Sequence, residues 1–135
     1  EDTLMIAALA QCIMRMLWRL RKNNQRWRIY DRFLIGENRW RAQRYGTSEG
    51  LIDFGAGGLR PFAGLIDELL DLIAEDAHAL ACEAEVGRAR LIATEGNSAS
   101  RQRQVYAGTM AAGGDPMACL HSVVDQLIGE FTEGL

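Results

Sequence analysis

Three arginines, a carboxylate, two carboxamides and two aromatics fall within ten residues at Glu37-Asn38-Arg39-Trp40-Arg41-Ala42-Gln43-Arg44-Tyr45-Gly46. Guanidinium stays charged in proteins and offers a planar fork of donors that matches carboxylate or phosphate oxygens two at a time. Such a cluster points to an oxyanion ligand, with positioning and charge neutralisation as the chemistry. A competing reading ties Arg39, Arg41 and Arg44 to acids elsewhere in the fold and packs Trp40 and Tyr45 into a core.

Read as a strand, the stretch places Asn38, Trp40, Ala42 and Arg44 on one face and Arg39, Arg41, Gln43 and Tyr45 on the other. Thr47-Ser48-Glu49-Gly50 supplies turn chemistry, and Leu51-Ile52-Asp53-Phe54 reads as a return strand, so a hairpin is expected over this region. Strand parity forbids all three arginines from pointing the same way. Either Arg41 acts with Arg39, or Arg44 acts with Asn38, and the sequence leaves both open. Gly55-Ala56-Gly57-Gly58 lacks both the GK[ST] of a P-loop and the spacing of a dinucleotide fingerprint, and is expected to be a flexible exit from the hairpin.

Helices must brace this ribbon. Asp2 or Thr3 can cap a helix that Asn23-Asn24 stops after Lys22, with a first half apolar enough to be deeply buried. Tyr30, Phe33 and Leu34 favour a second short helix within Gln25 to Gly36, where Arg28 and Arg32 are expected to be solvent-exposed and paired with acidic neighbours rather than to extend the basic surface. From Pro61 to about Ala81, Phe62, Leu65, Ile66, Leu69, Leu70, Ile73, Ala77 and Leu80 recur at helical spacing. Asp67, Asp71 and Glu75, together with Glu68 and Asp76, read as a solvated face rather than a magnesium stripe. Ala84 to Thr94 forms a further helix, Ser98 caps the next, and Asp115-Pro116 starts a last one with an apolar stripe through Met117, Leu120, Val124, Leu127 and Phe131, ending before Gly134. The expected fold is mostly α, five to six helices around a small antiparallel hairpin, with residues 1–135 as a single segment.

The chain has 135 residues, 48% hydrophobic and 24% charged, as in an ordinary globular protein. Its net charge of −3 conceals a +5 balance over residues 1–60 and −8 over residues 61–135, so the two stretches can attract each other. A pI near 5.4 and the lack of a helix-turn-helix or RNA-recognition signature argue against nucleic acid as partner. Cys12, Cys82 and Cys119 are widely spaced and form no CxxC pair; a reducing cytoplasm suits them better than a disulfide framework. His78 and Cys82 are four apart, but packing explains them better than a metal site. The apolar run Leu4 to Met14 is too short to span a bilayer and lacks the flanks of a signal peptide.

The Glu37 to Gly46 stretch, followed by Leu51-Ile52-Asp53-Phe54-Gly55, resembles the signature near the carboxyl end of the bacterial carboxylate-amine ligase family, which is related to glutamate-cysteine ligase. The Arg101-Gln102 pair before Val105-Tyr106 and the Val123-Val124-Asp125 helix match in the same order. The resemblance implies ATP- and magnesium-dependent joining of a small carboxylate to an amine through an acyl-phosphate, in a C-terminal portion of a larger α+β ligase that forms homodimers. On that reading Arg41 and Arg44 are catalytic, and Glu37, Asn38, Arg39, Arg101 and Gln102 contact substrate or ATP. The metal ligands lie upstream, none of them in this segment. Glu1 in place of a start methionine fits a truncated or processed product, and a fragment alone is expected to be inactive. The rival class is a helical interaction or dimerisation module without chemistry, which treats the arginines as ion-pair partners.

Overall fold

The computed structural model describes residues 2–133; the readings placed on Glu1 and Gly134 lie outside the described residues. The chain divides into two compact units, Asp2–Thr94 and Glu95–Leu135, each considered by itself. The architecture is mostly helical with a two-stranded antiparallel sheet, as expected.

In the first unit, α1 (Asp2–Lys22) lies on α3 (Phe62–Leu80) and on the short α4 (Glu83–Gly87). Met5, Ala8, Cys12 and Met16 recur every three or four residues along α1, giving a single buried stripe. Most of that stripe meets Leu70, Ile73, Ala77 and Val86. Ile73 is fully buried, a burial that stabilises by on the order of 2–3 kcal/mol. The expected deep burial of the first half of α1 does not occur: Leu4 and Ile6 are more than half exposed, because one helix face suffices for the contact with α3. By length and composition alone α1 is long and apolar enough to cross a membrane; in this unit its buried stripe packs against α3 and α4.

The arginine-rich stretch is not a strand. It lies within α2 (Arg32–Tyr45), capped by Asp31, whose Oδ1 accepts the Phe33 N–H at 2.7 Å, and closed by Gly46 at φ +62°. Arg, Glu, Gln, Ala and Leu dominate these fourteen residues and Ile35 is the sole β-branched one, so local propensity favours helix. The second helix expected within Gln25 to Gly36 therefore begins only at Arg32 and runs on through the arginines.

The hairpin forms one step later. β1 (Leu51–Asp53) pairs with β2 (Gly58–Arg60), Leu51 opposite Arg60 and Asp53 opposite Gly58. The glycine run read as an exit is the turn itself: Asp53 Oδ1 accepts from Gly55 and Ala56 N–H at 2.7 and 3.1 Å, and Gly57 takes φ +72°.

After α3, the left-handed Ala81 ends the helix, and the predicted Ala84–Thr94 helix is broken at Arg88 into α4 and α5 (Ala89–Glu95). In the second unit, α6 (Ser98–Ala111) and α7 (Pro116–Glu133) form an antiparallel-type hairpin of helices. Asn97, not Ser98, caps α6 by accepting the Ser100 N–H at 2.9 Å, while Asp115 accepts the Ala118 N–H at 2.8 Å and starts α7 as expected. The apolar stripe of α7 is exposed: Met117, Leu120, Val124, Ile128 and Phe131 all keep more than half their surface.

Candidate arginine-bearing site

Helical rather than strand geometry regroups the candidate residues. At about 100° per residue, Asn38, Arg41 and Tyr45 share one side of α2, with Glu37 and Arg44 beside them and Arg39 and Gln43 on the far flank. The parity rule that set Arg39 with Arg41 against Arg44 with Asn38 therefore does not apply.

Asn38 and Arg41 hold α2 onto the hairpin. Asn38 Nδ2 donates to the Ile52 carbonyl at 2.9 Å and its Oδ1 accepts the Ile52 N–H at 2.7 Å, completing one edge of β1 with a side-chain amide. Arg41 donates from Nε to the Gly50 carbonyl and from Nη2 to the Glu49 carbonyl, both at 3.2 Å, and sits 5.5 Å from the Tyr45 ring centre. Trp40 meets Tyr45 edge to face at 5.6 Å and Tyr30 covers Phe54 at 4.9 Å. Among the described residues, none of these arginines is neutralised by an acid of the scaffold. Arg39 and Arg44 are exposed and have no hydrogen-bond or ion-pair partner among the described residues, and neither has the half-buried Glu37.

Elsewhere in the unit several basic and acidic residues do pair, and α3 supplies most of the acids. Asp76 is fully buried, not part of a solvated face, and receives both Arg15 and Arg19 of α1. Its hydrogen bond from Arg19, then that from Arg15, holds its carboxyl below the usual carboxylate range. Arg60 reaches Asp53 at 2.8 Å and Glu68, which together with backbone donors from Ala56 and Gly55 depresses the Asp53 carboxyl. Asp67 pairs with Arg90, and Glu75 with Arg19. Exposed His78 bonds Glu83 at 2.8 Å. Among the described residues no three His, Cys, Asp or Glu are grouped to hold a metal ion.

Arg101 and Gln102 belong to the second unit and are engaged within it. Arg101 Nε and Nη2 clasp the Glu130 carboxylate at 3.0 and 3.3 Å, while Nη1 donates to the Gly96 carbonyl at 3.1 Å. Gln102 donates to Ser98 Oγ at 3.0 Å. Sequence reasoning passed over one open cleft of about 580 Å³, lined by Leu17, Arg21, Asn24, Gln25, Arg26 and Trp27. Its signal was the Asn23-Asn24 helix stop between two basic segments.

No protein-family model and no solved structure matches the chain. Curated relatives do match it. A protein of Jannaschia sp. (strain CCS1), named "Putative glutamate--cysteine ligase 2", is 58% identical over 131 residues, 97% of this chain and 34% of the relative. Proteins of the same name from Rhodospirillum rubrum and Ruegeria pomeroyi are 55% and 54% identical over 96% and 97% of the chain, each covering 33% of the relative. The chain thus spans about a third of the length of the curated relatives it matches.

Proposed function

We propose that this chain is the C-terminal part of a member of the bacterial carboxylate-amine ligase family related to glutamate-cysteine ligase, an ATP-dependent enzyme that joins a carboxylate to an amine; the relatives that support this reading are 54% to 58% identical to it over about a third of their own length. The observation that carries this reading is the pairing pattern on α2: Asn38 and Arg41 are spent on fixing the helix to the hairpin, while Arg44 and Arg39 are left charged and unneutralised. Arg15, Arg19 and Arg60 of the same unit do find acids, whereas Arg21, Arg26, Arg28 and Arg32 have none among the described residues, so Arg39 and Arg44 are set apart by their place beside the anchored residues of α2 rather than by lack of pairing alone. A helix held in place by two side chains and presenting free guanidinium groups suits phosphate or carboxylate oxygens.

In this reading Arg44 supplies positive charge to the transferring phosphate or to the acyl-phosphate, and Glu37, on the same side of α2, orients it. Arg39, on the far flank, contacts nucleotide or substrate separately. Arg41 and Asn38 are positioning residues. Arg101 and Gln102 serve through the α6–α7 hairpin. Among the described residues the acids do not group into a magnesium centre, and in this reading the metal that activates the nucleotide would be held by other parts of the complete enzyme. The exposed apolar residues of α1 and α7 support membership of a larger fold that covers them. The free cysteines suit a cytoplasmic enzyme.

The test uses the complete polypeptide with ATP, magnesium, glutamate and cysteine, following amide formation and phosphate release. Arg44→Ala should lower kcat/KM by well over tenfold, about 1.4 kcal/mol, with its thermal stability unchanged. A loss of tenfold or less removes Arg44 from the chemistry. If neither ATP nor either substrate raises the thermal midpoint of the complete protein, the non-catalytic helical module is the better reading.

A further inference from the structure

Cys12, on the buried stripe of α1, and Cys82, in the turn between α3 and α4, bring their sulfurs to 3.5 Å although they stand seventy residues apart. Both are free thiols. They differ in access: Cys12 is fully buried, whereas Cys82 is half-buried at the start of α4, directly after the left-handed Ala81. The third cysteine, Cys119, is buried in the other unit, where its Sγ lies near the Gly114 carbonyl. At 3.5 Å the two sulfurs are in van der Waals contact, still well beyond the S–S bond length of about 2.05 Å, and Cys82 sits in a turn rather than a helix interior, where the backbone can shift to close the gap.

We propose that Cys12 and Cys82 form a reversible disulfide, with Cys82 as the entry thiol and Cys12 as the resolving thiol, driven by a small-molecule disulfide. Cys82 loses its proton to water and its thiolate attacks one sulfur of that oxidant. The oxidant's S–S bond breaks, and one small thiolate leaves and takes up a proton. Cys12 then attacks the Cys82 sulfur of the mixed disulfide, passing its proton to the second departing thiolate. Two protein thiols are oxidised, and one small disulfide is reduced to two thiols. Burial, and next the Cys82 thiol beside it, push the Cys12 thiol up to about 11; with no exposed surface it does not meet the oxidant first, and it reacts through the mixed disulfide held beside it at Cys82. The product ties α1 to the α3–α4 turn and encloses α2 and the hairpin within the cross-linked loop.

The test treats the folded, intact protein with hydroxyethyl disulfide, blocks remaining thiols with N-ethylmaleimide and maps the peptides by mass. The expected product is a Cys12–Cys82 cross-link, lighter by two hydrogens, reversed by dithiothreitol and in large excess over either pairing with Cys119. Cys12→Ser should instead trap Cys82 as a stable mixed disulfide, and Cys119→Ser should leave the cross-link unchanged. Full N-ethylmaleimide labelling of Cys12 and Cys82 in the wild-type chain overturns the proposal, as does a mixed disulfide at Cys82 that never resolves. So does a cross-link that forms equally well in urea, which would show that the fold does not direct it. Because the wild-type chain decides the matter, a Cys12→Ser variant that fails to fold does not obscure the outcome.

Discussion

Arg19 and Asp76 are joined across fifty-seven residues: the guanidinium Nη2 donates to Oδ2 at 2.8 Å, and the carboxylate that receives it has no exposed surface. Arg15, one turn earlier on α1, donates to the other oxygen of the same group. One buried acid of α3 therefore fixes both the rotation and the axial register of α1, which the apolar stripe alone would leave free to slide.

Replacing Asp76 with Asn leaves two guanidinium groups facing a buried carboxamide. The expected loss is about 3 kcal/mol, read as a lower denaturant midpoint at pH 7. The carboxyl is held below its unfolded value, chiefly by Arg19, so its stabilisation is fully present above the ordinary carboxylate pKa near 4 and drains away as pH falls through the depressed folded value. The variant should show a flatter acid limb than the parent between about pH 5 and pH 2. Parallel limbs would show that Asp76 carries no linkage.

Asn38 serves as a surrogate strand for Ile52, so Asn38→Ala strips one donor and one acceptor from the edge of β1. A destabilisation of about 1–2 kcal/mol is expected, with faster amide exchange at Ile52 than at residues of α3. Arg39→Ala should by contrast stay within about 0.5 kcal/mol of the parent, since no partner is lost. Equal effects from the two variants would contradict the division between anchoring and free residues on α2.

Gly50 is buried at φ +71°, and a Cβ built there would stand 2.2 Å from the Arg60 carbonyl oxygen. Gly50→Ala should cost more than about 2 kcal/mol and unseat the Leu51–Arg60 pairing, combining left-handed strain with a backbone clash. Gly57→Ala also carries a positive φ but meets no atom within 4 Å, so about 1 kcal/mol is expected. Thermal unfolding of the two variants ranks the effects.

Arg101 grips Glu130 through two nitrogens, and the pair is about a quarter to a third exposed. Arg101→Ala should destabilise the second unit by about 1–2 kcal/mol, and Arg101→Lys should recover only part of that, because an ammonium cannot reproduce the fork. Full recovery by lysine would reduce the contact to simple charge attraction.

The expected attraction between the basic and acidic stretches is visible in the ion pairs of the first unit, where Arg15, Arg19 and Arg60 meet Asp76, Glu75 and Glu68 of α3. What charge counting could not show is which acid would be buried. Asp76 looked like one more member of a solvated row, because its burial depends on α1, more than fifty residues away. The strand assigned to Glu37–Gly46 failed for a related reason. A stretch of alternating polar and aromatic residues can be threaded on a period of two or of 3.6, and helix propensity with the Asp31 cap tips the balance.

By itself the sequence determined α1, α3 and the start of α7, because periodic apolar residues, the Asn23-Asn24 stop and the Asp115-Pro116 start act within a few residues of one another. It also carried the resemblance in residue order that the curated relatives share over about a third of their length. Tertiary structure alone decided that Asn38 and Arg41 are anchors while Arg39 and Arg44 stay free, that Asp76 is buried, and that Cys12 meets Cys82. Each of those facts is a choice of partner from eight to seventy residues away, and partners at that distance are selected by how helices pack rather than by any local pattern of residues.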